Sequence, residues 1–147
     1  MTYSRMNAAD LPECLAMACD LWPNEQKEDL EKHFREILAS ESWKTILCRN
    51  DDHEAIAFIN LSIRHDYVEG KNSEKPVGYI EGIYVKPEYR KQGIARELAR
   101  LGEEWSRERG CEEYASDTEM ENLESQEFHR RIGFMDEQAI VHFIKKL

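Results

Sequence analysis

No stretch of this chain approaches the roughly 20 consecutive apolar residues of a membrane span, and no basic-then-apolar leader opens it. A cytoplasmic protein with no membrane partner is the expectation. The four cysteines, Cys14, Cys19, Cys48 and Cys111, lack the close pairing of a zinc knuckle or a redox motif, and the five histidines show no ligand spacing. They are read as reduced core thiols, and no metal site is expected. Positive charge is scarce: 20 Lys and Arg stand against 30 Asp and Glu, a net charge of −10. Nucleic acid is disfavoured as a partner, because its phosphates would be repelled over most of the surface. A cationic small molecule suits the charge, although surplus carboxylates also serve solubility alone. With no repeat, linker or low-complexity tract, the 147 residues are expected to form one domain, 1–147.

Hydrophobic periodicity gives a coarse order of elements. Leu11, Leu15, Ala18 and Trp22 recur at helical spacing, with Asp10 as N-cap and Pro23 as the stop. A second amphipathic helix is expected from Lys27 to Ser40, carried by Leu30, Phe34, Ile37 and Leu38. Trp43–Arg49 and the alternation of Ala57, Ile59, Leu61 and Ile63 read as a hairpin turning at Asn50–Asp52. Arg64–Pro76 is a long polar loop, a candidate to cover a site. A central strand, Val77–Val85, precedes a helix with Ile94, Leu98, Leu101 and Trp105 on its apolar face. Then come a strand, Cys111–Ser116, a helix, Asn122–Ile132, and a last strand, Ile140–Ile144. The order α-α-β-β-β-α-β-α-β points to a mixed α/β sheet.

The most informative segment is Gly82 to Ala95, an apolar strand followed by a proline turn and a basic loop, Arg90-Lys91-Gln92-Gly93, that opens into a helix. Successive backbone N–H groups at a helix start converge on an anion, the helix dipole adds partial positive charge, and Gly93 lets the main chain approach closely. The spacing is neither the nucleoside-triphosphate loop nor the dinucleotide fingerprint. It resembles the pyrophosphate loop of the GNAT superfamily of acetyl-CoA-dependent N-acetyltransferases. A second motif in the right order, Asn122 followed by Phe128-His129-Arg130-Arg131-Ile132-Gly133-Phe134, is similar to that family's Asn…Leu-Tyr…Gly-Phe helix. The resemblance covers essentially the whole chain and implies the GNAT fold, a mixed, mostly antiparallel sheet flanked by helices. Within the superfamily, Tyr79–Val85, Glu103-Glu104-Trp105, Tyr114–Thr118 and a histidine where the family's usual tyrosine stands resemble the aminoglycoside 6'-N-acetyltransferases.

That resemblance implies acetyl-CoA as co-substrate, an aminoglycoside as acceptor, and a homodimer in which the apolar tail Ile140–Ile144 takes part. The cofactor side would use Ile83, Tyr84 and Val85 through their main chain, the loop residues Arg90, Lys91, Gln92, Gly93, Ile94, Ala95 and Arg96, and Asn122 on the pantetheine arm. The acceptor side would use Trp22, Tyr67, Glu81 and Asp117, with His65 and Asp66 as substitutes for Tyr67. A further acidic residue that the resemblance implies after the Gly-Phe pair aligns with the neutral Gln138, so the role passes to neighbouring Glu137, with Asp136 close by. Glu81 stands in an otherwise apolar strand, where a carboxylate either attracts an ammonium and takes its proton or faces solvent. Asp117 follows a strand, where it either binds ligand or caps a turn. Trp22 either stacks on a sugar or fills a helix seam. His129 either protonates the leaving thiolate or is structural. An acetyltransferase for another amine, or a non-catalytic acetyl-CoA-binding module, would share the fold and the loop.

Overall fold

The computed structural model describes every residue from Met1 to Leu147. Five strands form one sheet in chain order: β1 (Thr2–Arg5), β2 (Trp43–Arg49), β3 (Ala55–Arg64), β4 (Val77–Val85) and β5 (Glu113–Ser116). All neighbours are antiparallel except β4 and β5, which run parallel. The helices are α1 (Leu11–Leu21), α2 (Lys27–Leu38), α3 (Ile94–Glu108) and α4 (Leu123–Arg131). The mixed, mostly antiparallel sheet anticipated from the sequence is therefore present.

Strand alternation splits the core between the two faces of the sheet. Leu47, Phe58 and Tyr84 turn toward α1 and α2, meeting Leu15, Ala18, Phe34 and Ile37. Ile46, Cys48, Ala57, Ile59, Leu61, Ile80 and Val85 turn the other way, onto Ile94, Leu98 and Trp105 of α3. Because β3 is covered on both faces, it is buried almost throughout, which is why Ile56 and Phe58 stand where a one-sided strand would carry polar residues.

Three sequence expectations are corrected. A first strand precedes the helices: Thr2–Arg5 pairs with Ile46–Arg49, although its one face of burial left little periodicity to read. Asp10 does not cap α1 through its side chain. It accepts from the Asn7 N–H at 2.8 Å in a capping box around the preceding 3-10 turn, and its other oxygen binds Arg49 of β2 at 2.6 Å. The segment Ile140–Ile144 forms no strand. Its β-branched and aromatic residues fit a strand locally, but a strand exists only in a paired ladder, and this segment pairs with neither edge of the sheet, β1 or β5. Ile140, Val141, Phe143 and Ile144 stand 57, 77, 86 and 92% exposed.

Candidate functional site

The two halves of the site meet where β4 and β5 part. Their pairing runs only from Val77–Glu113 to Ile80–Ser116. Beyond it β5 ends, so Glu81–Val85 has a strand on the β3 side and none on the other. The main chain of Ile83, Tyr84 and Val85 thus borders an opening, while the side chains of Ile83 and Val85 pack toward α3. After the 3-10 turn Pro87–Tyr89 the chain reverses through two left-handed residues, Lys91 (φ +61°) and Gly93 (φ +82°), and enters α3. The N–H groups of Lys91, Gln92, Gly93, Ile94, Ala95 and Arg96 have no acceptor within the chain. Six free donors at a helix start, with no carboxylate capping them, make an anion cradle of the kind the sequence suggested.

Arg90 stands beside that cradle with one of its donors in use. Its Nε donates to the Val85 carbonyl at 2.9 Å and its guanidinium lies 5.9 Å from the Tyr84 ring centroid, so it braces the loop against the end of β4. A second brace had no signature in the sequence: the buried Asn50 amide donates to the Tyr89 hydroxyl at 3.0 Å, tying the loop to the β2–β3 turn. Asn122 caps α4, its side-chain oxygen accepting from the Ser125 N–H at 3.1 Å.

The residues expected to meet the acceptor lie on the α1–α2 face, in a region shaped by a β-bulge. Asn60 faces Gly82 and Leu61 faces Ile80, which leaves Glu81 as the extra residue on β4. With strict alternation, Gly82 and Tyr84 on the α1–α2 face would force Glu81 into the apolar layer against α3. The bulge releases it to the side of Ser62, Arg64 and Tyr79 instead. There its carboxylate accepts from Ser62 Oγ at 2.6 Å and, in a two-pronged ion pair, from Arg64 Nε and Nη2 at 2.8 Å each. The Arg64 guanidinium also stacks 3.6 Å from the Tyr79 ring centroid. Tyr79 in turn donates its hydroxyl to Asp117 Oδ2 at 2.6 Å. Burial, and then the Asp117 carboxylate, push the Tyr79 phenol well above its ordinary value, so it remains a neutral donor. Glu81 and Asp117 therefore belong to one network, linked through Arg64 and Tyr79, two residues that sequence reasoning had not assigned. Arg64 had read as the start of a loop, because its role appears only across the strand pair.

Trp22, at the end of α1, lies on Gly82, and its ring centroid is 6.1 Å from that of Phe58. A Cβ at position 82 would run into the indole. Replacing Gly82 with Val should expel Trp22 from this seat and cost about 1–3 kcal/mol, read as a lower midpoint in urea. Tyr67 is 80% exposed, with φ +46°. Glu137 lies across Gly70 of the same loop, which brings the segment after α4 against the Arg64–Pro76 connection. Asp117 is exposed, while Glu81 keeps 18% of its side chain accessible.

His129 faces the opposite layer. Its Nδ1 is 2.7 Å from the Ser125 carbonyl, which can only accept, so the proton sits on Nδ1. Nε2 then accepts from the Ser116 hydroxyl at 2.7 Å, at the point where β5 leaves β4. The ring packs edge-on against Phe128 and Phe134. No group of three or more His, Cys, Asp or Glu side chains is placed to hold a metal ion.

This geometry has close relatives. The sequence matches the acetyltransferase (GNAT) family over residues 11–134. It is 39% identical over 138 residues to the aminoglycoside N(6')-acetyltransferase type 1 of Serratia marcescens, covering 94% of each chain. It is 35% identical over 147 residues to the protein of the same name from Acinetobacter haemolyticus, covering 100% of this chain and 99% of that one. The crystal structure of the aminoglycoside antibiotic 6'-N-acetyltransferase AAC(6')-IG from Acinetobacter haemolyticus superposes with a TM-score of 0.93 at 35% identity, over 100% of this chain and 99% of that chain. AAC(6')-Iy in complex with the bisubstrate analog CoA-S-monomethyl-acetylneamine gives a TM-score of 0.93 at 34% identity, over 99% and 98% of the two chains. A strand that parts from its neighbour beside a loop of free amides thus sits in a fold shared over the full length with enzymes of one kind, and the chain belongs to the acetyltransferase (GNAT) family.

Proposed function

We propose that this protein transfers the acetyl group of acetyl-CoA to the 6'-amino group of aminoglycoside antibiotics and so confers resistance to them. The observation that carries the reading is the meeting, at the β4–β5 opening, of six free loop amides with a carboxylate network on the opposite face. The relatives' names and the bisubstrate complex support the same assignment. The amides of Lys91–Arg96 hold the diphosphate, and the exposed main chain of Ile83–Val85 pairs with the pantetheine arm and polarises the thioester oxygen. Asn122 meets that arm through its side-chain amide. Trp22 and Tyr67 present aromatic faces to the sugar rings, Asp117 and Glu137 present negative charge to the ammonium groups of the acceptor, and Glu81, paired with Arg64, lines the same side.

In the reaction the amine nitrogen bonds to the thioester carbon, the carbon–sulfur bond breaks, coenzyme A leaves as a thiolate, and the nitrogen sheds its surplus proton to water to become the neutral amide. The ammonium first loses its proton through water to Asp117, which accepts a single hydrogen bond within the chain. His129 lies on the cofactor side, where its imidazolium form would give the Nε2 proton to the Ser116 oxygen as Ser116 gives its hydroxyl proton to the thiolate, leaving neutral CoA thiol and neutral imidazole. A thiol-release assay with aminoglycosides, spermidine and peptide amines tests the proposal. Turnover of aminoglycosides supports it, and turnover of only the other amines contradicts it.

We further infer a homodimer in the cytoplasm. The apolar tail Ile140–Ile144 is exposed in the single chain, and a second copy would cover it. The four free cysteines, three of them buried, suit a reducing compartment. Removing residues 139–147 should convert the dimer to a monomer in sedimentation equilibrium; an unchanged mass would remove the tail from the interface.

A further inference from the structure

The acceptor side holds a cation of its own. Arg64 fills the space between the Glu81 carboxylate and the face of Tyr79, which is where a substrate ammonium would otherwise be drawn. Both Glu81 oxygens are occupied, Oε1 by Ser62 and Arg64 Nε, and Oε2 by Arg64 Nη2. Side-chain exposures of 33% for Arg64 and 18% for Glu81 place the pair partly out of water, where an unpaired charge is costly. Arg64 is held by two N–H donors and a stacked ring, so a substrate cation would have to break all three contacts to replace it.

We propose that Arg64 is the specificity-setting partner of Glu81, and that Glu81 serves the acceptor site chiefly by neutralising Arg64. The pair is neutral as a whole. The negative charge left to the site is then that of Glu137 and of Asp117, whose only bond within the chain comes from the neutral Tyr79. Removing the Glu81 charge alone leaves a guanidinium facing a cationic acceptor. Removing both charges restores the original balance, because a neutral amide opposite an apolar side chain adds no repulsion. A Glu81 that itself took the substrate proton would behave differently, since its loss could not be repaired at position 64.

The inference rests on the aminoglycoside reading, so wild-type turnover of an aminoglycoside in the same assay tests that reading separately. Steady-state kinetics would be measured for Glu81→Gln, Arg64→Met and the double variant, with acetyl-CoA affinity followed by titration. Glu81→Gln should raise the aminoglycoside KM about tenfold or more, as expected for unmasking a like charge at a binding site. The double variant should return the KM to within about threefold of wild type, the scale on which replacing an ion pair by neutral groups is tolerated. Acetyl-CoA affinity should hold in all of them. A double variant as poor as Glu81→Gln, or worse, overturns the proposal. If the Met variant does not fold, Arg64→Gln with Glu81→Gln makes the same comparison with two neutral amides.

Discussion

Replacing Gly93 with Asp should lower acetyl-CoA affinity by about a hundredfold or more, whereas Gly93→Asn should lose far less, because only the first places negative charge among the amides proposed to hold the diphosphate. The pair separates charge from conformation. Position 93 has φ +82°, which Asn and Asp accept better than other side chains, and a Cβ there meets nothing within 4 Å. Both variants should therefore fold with similar midpoints. Isothermal titration with coenzyme A reads the difference directly, and equal losses in the two variants would show that the loop geometry, not its field, sets affinity.

Asp117→Asn should have the second large effect, on turnover rather than on the cofactor. We expect kcat/KM for an aminoglycoside to fall about a hundredfold, the lower range for loss of a proton-accepting group, with acetyl-CoA binding unchanged. Tyr79→Phe separates positioning from chemistry at the same place. It removes only the 2.6 Å hydroxyl bond that orients Asp117, so it should cost about tenfold, the scale of one hydrogen bond to a charged group. Kinetics of Asp117→Asn indistinguishable from wild type would remove the carboxylate from the mechanism.

The loop of free amides proposed to hold the cofactor was legible in the sequence because its determinants are local. A strand, a Gly93 that adopts positive φ and a helix start follow one another along the chain, and main-chain N–H groups need no particular side chains to form the cradle. The acceptor half was legible only as residues. Glu81 stood out as a charge in an apolar strand, yet its orientation depends on a bulge set by the pairing of Asn60 with Gly82 and of Leu61 with Ile80, which no local pattern encodes. Arg64 and Tyr79 were missed for the same reason: they meet Glu81 and Asp117 across strands, from 17 and 38 positions away respectively. Arg90 shows the same limit: its place in a basic loop suggested a phosphate contact, and the bond from its Nε to the Val85 carbonyl was not legible there. At the ends of the chain, β1 was too short to show a period, and Ile140–Ile144 has the composition of a strand without a neighbour in the same chain.

A primary amine of the sugar, carried to a thioester held at the β4–β5 opening, is the step on which everything else depends. The most direct test is thiol release from acetyl-CoA with two aminoglycosides that differ only in carrying an amino or a hydroxyl group at the 6' position. The expected result is stoichiometric release with the amino form, a product bearing the acetyl group on that nitrogen, and no release above background with the hydroxyl form. Equal release with both forms, or an acetyl group on another nitrogen, would contradict it.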